Sequence, residues 1–274
     1  MTLQRLTQRS LLFVAISACG GAPPAPSTTA TPAAPASTAP GANAPPASAG
    51  MQPLVDAADR SPQDRALDAG RKPAELLALL GVKPGMRVAD LAAGGGYTTE
   101  LLARAVGEKG VVFGQNNPWA MERFAKKPWE ERVAKPVNKN VVTVVRDFDE
   151  PLPPEAKDLD AVVFVLFYHD TIWLKVDRAK MNANIFRALK PGGAYVVVDP
   201  SGRPGTGTTE SNTLHRIEEK VVRDEVLAAG FVFEREGTFL KNDKDSRDWN
   251  ASPRAAADKR GTSDRFVLRF TKPR

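Results

Sequence analysis

The stretch Asp90-Leu91-Ala92-Ala93-Gly94-Gly95-Gly96-Tyr97 follows a short apolar run, Met86-Arg87-Val88-Ala89. It precedes a helical pattern, Thr99-Glu100-Leu101-Leu102-Ala103-Arg104-Ala105-Val106. A strand that ends in a carboxylate and turns through small residues into a helix presents bare backbone to a ligand. Glycine allows the close approach and the positive φ of such a turn, and the first N–H groups of a helix lack partners within it. A dinucleotide fingerprint would need glycines at i, i+2 and i+5. From Gly94 the third position falls on Thr99, and from Ala92 on Tyr97, so that spacing fails. A tight strand–helix turn without a ligand is the plain alternative.

Outward from this loop, strand and helix patterns alternate from Gly70 on, which predicts a mostly parallel sheet with helices on both faces. Pro73 to Leu80 reads as a helix stopped by Gly81. Gly110–Gln115 and Val141–Arg146 read as the second and third strands. Asp160–Leu166 is a continuous apolar run suited to a central strand buried on both faces. A helix over Ala179–Leu189 ends at Lys190-Pro191-Gly192-Gly193, a turn into a fifth strand, Ala194–Asp199. One helix is expected over Leu214–Ala229, closed by Gly230. Phe231–Phe239 and Arg265–Thr271 follow as strands with no helix between them, which implies an antiparallel final pair.

The acid four residues before Gly94 and six before Gly96 resembles the D-x-G-x-G-x-G loop of class I S-adenosylmethionine-dependent methyltransferases, with Ala92 at the first glycine. The layout of residues 70–272, the Leu189–Gly193 turn and Ala228-Ala229-Gly230-Phe231 before the sixth strand are similar to that family as well. Within it the chain resembles a subgroup of bacterial predicted methyltransferases through Tyr168-His169-Asp170-Thr171 and Thr213-Leu214-His215-Arg216-Ile217. The resemblance implies an α/β fold with a Rossmann-like seven-stranded methyltransferase sheet. It also implies S-adenosyl-L-methionine as cofactor and methyl transfer as the activity; the acceptor is read as a small molecule or an envelope component. A non-catalytic ligand-binding protein on the same scaffold is the second reading.

Ligands of such sheets sit at the carboxyl ends of the strands. The resemblance assigns Asp90, Ala92, Gly94, Gly96 and Tyr97 to the methionine half of the cofactor. The second strand ends in Gln115-Asn116-Asn117, where the family places an acid on the ribose hydroxyls. Gln115 and Asn116 can pair with hydroxyls through their amides, without the stronger charge-assisted bond; a helix-capping turn before Pro118 is the other use of this segment. Asp147 and Phe148 end the third strand, at the position of an acid near the adenine amine and an apolar wall; Asp147 also suits a turn. His169 is the candidate general base, with Tyr168 orienting the acceptor and Asp170 orienting His169 or capping the next helix. His215 and Arg216 are candidates for an anionic substrate, or ordinary solvated helix residues. Two histidines and a single cysteine, Cys19, argue against a structural zinc site, and no metal is expected.

Arg5 and Arg9, the apolar run Leu11–Ala18, and Ile16-Ser17-Ala18-Cys19 read as a lipoprotein signal peptide over residues 1–19, with Cys19 as the lipidation site. The run falls short of the ~20 residues that span a bilayer. Residues 20–50, built from Ala, Pro, Gly, Ser and Thr around one Asn43 and with no charge, read as a disordered tether. Residues 51–274 are then the folded domain. The chain carries 38 Lys and Arg against 32 Asp and Glu, and two of the cations sit in the leader. This mild excess, with no basic stripe interleaved with aromatics, argues against nucleic acid as a partner. The expected location is the cell envelope, on the outer membrane facing the periplasm, with the membrane engaged through the lipid on Cys19.

Overall fold

Ser61-Pro62 starts the first long helix for two reasons. The Ser61 hydroxyl oxygen accepts the N–H of Asp64 at 3.1 Å, and proline suits a first turn that needs no N–H. The structure is a computed structural model and describes residues 47–274; the leader, and the tether as far as residue 46, lie outside the described residues. Helical structure begins within the stretch read as tether, with a 3-10 turn at Ala47–Gly50 and α1 at Gln52–Val55. Then come α2 (Pro62–Arg71) and α3 (Pro73–Leu80), which buries Leu76, Leu77 and Leu80 and stops at Gly81 with φ 71°.

Seven strands form one sheet: β1 (Arg87–Leu91), β2 (Val111–Asn116), β3 (Val141–Val145), β4 (Leu159–Val165), β5 (Leu189–Pro200), β6 (Val232–Glu236) and β7 (Arg265–Thr271). Their order is β3-β2-β1-β4-β5-β7-β6. The first five run parallel, and β7 is antiparallel to both β5 and β6, as the helix-free final pair implied. Alternation along the central strands splits the core in two. Ala89, Leu91, Phe113, Val162, Phe164 and Val197 pack on one face, and Val88, Val112, Ala161, Val163, Val196 and Val198 on the other. The order reverses between β1 and β4, so the carboxyl ends of these two strands open the crevice where ligands bind in this architecture.

The remaining helices are α4 (Tyr97–Val106), α5 (Pro118–Ala120), α6 (Lys126–Val133), α7 (Asp170–Trp173), α8 (Arg178–Ala188), α9 (Ser211–Leu214) and α10 (Glu219–Ala228). A single π turn, Met121–Ala125, joins α5 to α6. Two expectations are corrected. The Lys190–Gly193 turn is absorbed into β5 as an irregularity, because Leu189 still pairs with Leu159 before the register shifts at Ala161. The helix expected over Leu214–Ala229 is two helices: the chain ends α9 by turning His215 left-handed (φ 50°), then pairs Ile217 with Ser201 before α10 begins.

Candidate active site

At the end of β1 the chain makes a left-handed step at Ala92 (φ 51°), again at Gly94 (φ 56°), and enters α4 through Gly96 (φ 78°). Alanine takes such a φ at a cost of roughly 1–2 kcal/mol, and hydrogen bonds from β2 hold it. The Ala92 N–H donates to Gln115 Oε1 (3.0 Å), and the Ala93 N–H to the Gln115 carbonyl (2.8 Å). Asn116 grips the next step: its Oδ1 accepts the Gly94 N–H (2.8 Å) and its Nδ2 donates to the Gly94 carbonyl (3.1 Å). Asp90, buried beneath the loop, accepts from the Thr99 hydroxyl at 2.6 Å. Burial pushes its carboxyl up to about 7, although Thr99 and the Arg71 guanidinium pull the other way.

A cavity of about 720 Å³ extends from this loop across the ends of β1, β2, β4 and β5. Asp90, Ala92, Gly94, Tyr97, Asn116 and Phe148 line it at one end, and His169, Asp170 and His215 at the other. Arg71, Arg260 and Arg265 contribute positive charge to the wall. Arg71 stacks on the Tyr97 ring at 4.5 Å, and burial holds its pKa below the usual arginine value. Burial, with Arg71 nearby, brings Arg265 down to about 10.

The far end is built on β4 and β5. Leu166, at φ 59°, turns the chain after β4 so that Tyr168 and His169 point in different directions. The His169 backbone N–H and ring Nδ1 meet the two oxygens of Asp199, at 2.6 and 2.9 Å. Its Nε2 lies 3.2 Å from His215 Nδ1 and 3.1 Å from Asp170 Oδ1. Burial works against the charged imidazolium, but Asp199 and Asp170 together outweigh it and lift His169 to about 10. With no cation in the cluster, these two carboxylates favour the protonated, hydrogen-bond-donating ring over the proton acceptor that an unperturbed imidazole would be. Asp170 is held well below the usual carboxylate range; burial pushes it up, and His169 and His215 more than offset this.

Residues 88–193 match the family model described as a methyltransferase domain. The chain carries a class I S-adenosylmethionine-dependent methyltransferase domain. Solved structures agree on the fold. A SAM-dependent methyltransferase from Aquifex aeolicus is similar over 81% of this chain and 97% of its own, at 20% identity and TM-score 0.54. A putative sarcosine dimethylglycine methyltransferase from Galdieria sulphuraria covers 80% of this chain and 90% of its own, at 20% identity and TM-score 0.54. The [4+2]-cyclase SpnF covers 74% and 80%, at 17% identity and TM-score 0.52. No curated protein matches the chain.

The cofactor of this domain is S-adenosylmethionine, and the residues fit its methionine half. Gly94 and Gly95 present backbone to the cavity, and a Cβ on Gly94 would project into open space. Asp90 is a buried acid whose one side-chain hydrogen bond among the described residues is that from Thr99, so it can receive an ammonium group. The cavity volume lies within the range of roughly 300–1,000 Å³ usual for small-molecule sites. The methyltransferase domain departs from the family at the ribose, where no acid is offered.

Several residues expected in the site lie elsewhere. Gln115 is fully buried behind the loop, with its amide spent on Ala92 and the Arg146 carbonyl, so it does not line the cavity. Asp147 is an exposed turn residue outside the cavity; Phe148 alone supplies the wall there, packed on Phe164 and Phe167. Tyr168 turns away into the core, donating to Glu225 (2.8 Å) and accepting from Asn182 (2.9 Å). Arg216 is fully buried, bidentate to Asp245 and donating to the carbonyls of Ser201 and Trp249. Gly96 forms the turn without lining the cavity. Asp199 was missed, although the strand-end rule that selected Asp90 applies equally at the end of β5. Arg71 and Arg132 were missed because α2 and α6 are too polar to show a buried face.

Proposed function

We propose that the protein transfers a methyl group from S-adenosylmethionine to an oxygen or nitrogen of a small-molecule or envelope acceptor, outside the cytoplasm, on a lipid anchor at Cys19. One observation carries the methyl-transfer reading: a single cavity joins the glycine loop to the His169–Asp170–His215 cluster. When bound, the cofactor supplies a methyl group on a sulfonium, which passes in line to the acceptor's lone pair while the C–S electron pair returns to sulfur. Asp90 and the Gly94–Gly95 backbone would hold the methionine moiety, and Phe148 would face the adenine. Phe124, Phe148 and Phe167 give the cavity an apolar lining, and positioning at about 3–3.5 Å contributes most of the rate. Asp170, ionised and lining the cavity, would orient the acceptor by accepting its hydrogen bond, while a proton lost from the acceptor passes to solvent. Arg71, Arg260 and Arg265 favour an acceptor that carries negative charge.

A second reading, a non-catalytic ligand-binding protein, is favoured by Asn116, whose amide is committed to Gly94 where the family offers an acid. Calorimetric titration of the full-length protein with S-adenosylmethionine and with its demethylated product separates the two. Micromolar binding of either supports the enzyme, and no heat with no thermal shift supports the binder.

The anchor rests on Arg5, Arg9, Leu11–Ala18 and Cys19. No helix among the described residues is long and apolar enough to cross a membrane. Incorporation of a labelled fatty acid that Cys19→Ser abolishes would support it; labelling that persists in that variant would sink it.

A further inference from the structure

Two imidazoles and one carboxylate aim three donor atoms at a common point on the cavity wall. His169 Nε2 is 3.2 Å from His215 Nδ1, and Asp170 Oδ1 is 3.1 Å from each. Placed about 2.1 Å from an ion, atoms so spaced subtend angles of about 95–100° at it, nearer one face of an octahedron than a tetrahedron.

We propose that His169 Nε2, Asp170 Oδ1 and His215 Nδ1 form a site for one divalent first-row transition-metal ion, with its open positions facing the acceptor end of the cavity.

Protons alone serve this triangle poorly. A proton on one nitrogen satisfies one edge and leaves lone pairs facing each other elsewhere. Protons on both nitrogens satisfy the two carboxylate edges but oppose each other across 3.2 Å. A single cation at the centre satisfies all three edges at once.

The supports behind the ligands agree with this. Asp199 engages His169 Nδ1 at 2.9 Å, which fixes the ring and leaves Nε2 for the ion, an arrangement common to metal-ligating histidines. The Trp173 indole donates to Asp170 Oδ1 at 2.7 Å and fixes the carboxylate. His215 reaches the cluster only because the chain breaks a helix and holds that residue left-handed, a strain of order 1–3 kcal/mol that clusters at functional sites. An acceptor oxygen bound to the ion would lose its proton more easily. That use rests on the methyl-transfer reading; occupancy by metal does not.

The chain has two histidines, both in this cluster, and one cysteine, Cys19. Imidazole coordination of Co²⁺ in the full-length Cys19→Ser protein, produced without a polyhistidine tag, therefore reports this cluster alone. After chelation and dialysis, titration with Co²⁺ alone is expected to give visible d–d bands saturating at one equivalent. His169 is buried and its loss endangers the fold, so His215→Ala, checked for native near-UV circular dichroism, carries the test; it should abolish the bands. Asp199→Asn should weaken Co²⁺ by about 10–100-fold. No bands in the parent protein, or bands unchanged in His215→Ala, would overturn the site. A cofactor titration on the same sample keeps the two readings apart. Cofactor binding without Co²⁺ bands removes the metal site alone, and Co²⁺ bands without cofactor binding remove methyl transfer alone.

Discussion

Asn116 closes on Gly94 from both sides, its oxygen accepting the glycine N–H at 2.8 Å and its amide donating to the glycine carbonyl at 3.1 Å. At the end of β2, where a ribose-binding acid belongs in this family, the side chain is a clasp on the cofactor loop. Asn116→Asp would keep the acceptor and lose the donor, setting a buried carboxylate against a carbonyl. Leaving such a group unsatisfied costs about 1–3 kcal/mol. The variant is expected to melt lower and to bind S-adenosylmethionine no more tightly than the parent. Calorimetry showing a several-fold gain in affinity would show that the side chain prefers the ribose to the loop.

Arg132 links three elements around that loop. Its guanidinium meets both oxygens of Asp64 on α2 (2.5 and 2.9 Å), Glu100 on α4 (2.5 Å) and the carbonyl of Gly95 (2.9 Å). Glu100 is almost fully buried and also takes Arg104 and Lys135. Removing one partner from a buried pair typically costs 3–5 kcal/mol, so Arg132→Ala should lower stability by about 3 kcal/mol in urea unfolding. Arg132→Lys should recover only part of it, because an ammonium cannot span Asp64, Glu100 and Gly95 together. A loss under 1 kcal/mol would mean that solvent already screens the network.

Much of the fold was legible because apolar period and turn residues agreed. Leu159–Val165 is a strand where an unbroken apolar run predicted one, and Gly81 stops α3 where a glycine followed a leucine-rich stretch. The site was legible at strand ends and at His215. Asp90, Gly94, His169 and Asp170 reach the cavity, but adjacent residues diverge, and sequence does not reveal which neighbour a left-handed Leu166 turns inward. Tyr168 and Arg216 were misplaced for that reason. Both carry polar groups that the core satisfies with Glu225, Asn182 and Asp245, partners distant in sequence. The helix α2, Pro62–Arg71, went unread because ion pairs attach it: Asp64 to Arg132, and Asp68 to Arg60 and the Tyr97 hydroxyl.

Tyr168 separates structural from catalytic roles at the end of β4. Tyr168→Phe removes the hydroxyl between Glu225 and Asn182 and leaves the cavity untouched. A loss of about 1–2 kcal/mol is expected, with S-adenosylmethionine affinity unchanged at temperatures where the variant is folded. Weaker cofactor binding by the fully folded variant would put Tyr168 back among the site residues.

Asp90 makes stability depend on pH in a direction opposite to that of most acids. Its carboxyl sits at about 7 in the folded protein, raised by burial, against an ordinary 3.8. Between these values the folded state keeps a proton that the unfolded chain has lost, so stability falls as pH rises from about 4 to about 7 and levels off above. In Asp90→Asn the side chain stays neutral at every pH, and its oxygen can still accept from Thr99. The stability of this variant relative to the parent should therefore climb across that window, by an amount on the order of 4 kcal/mol in total. Urea midpoints of both proteins at pH 4, 5, 6, 7 and 8, without cofactor, provide the measurement. A difference that stays flat with pH would show that Asp90 is ionised in the fold and neutralised by Arg71.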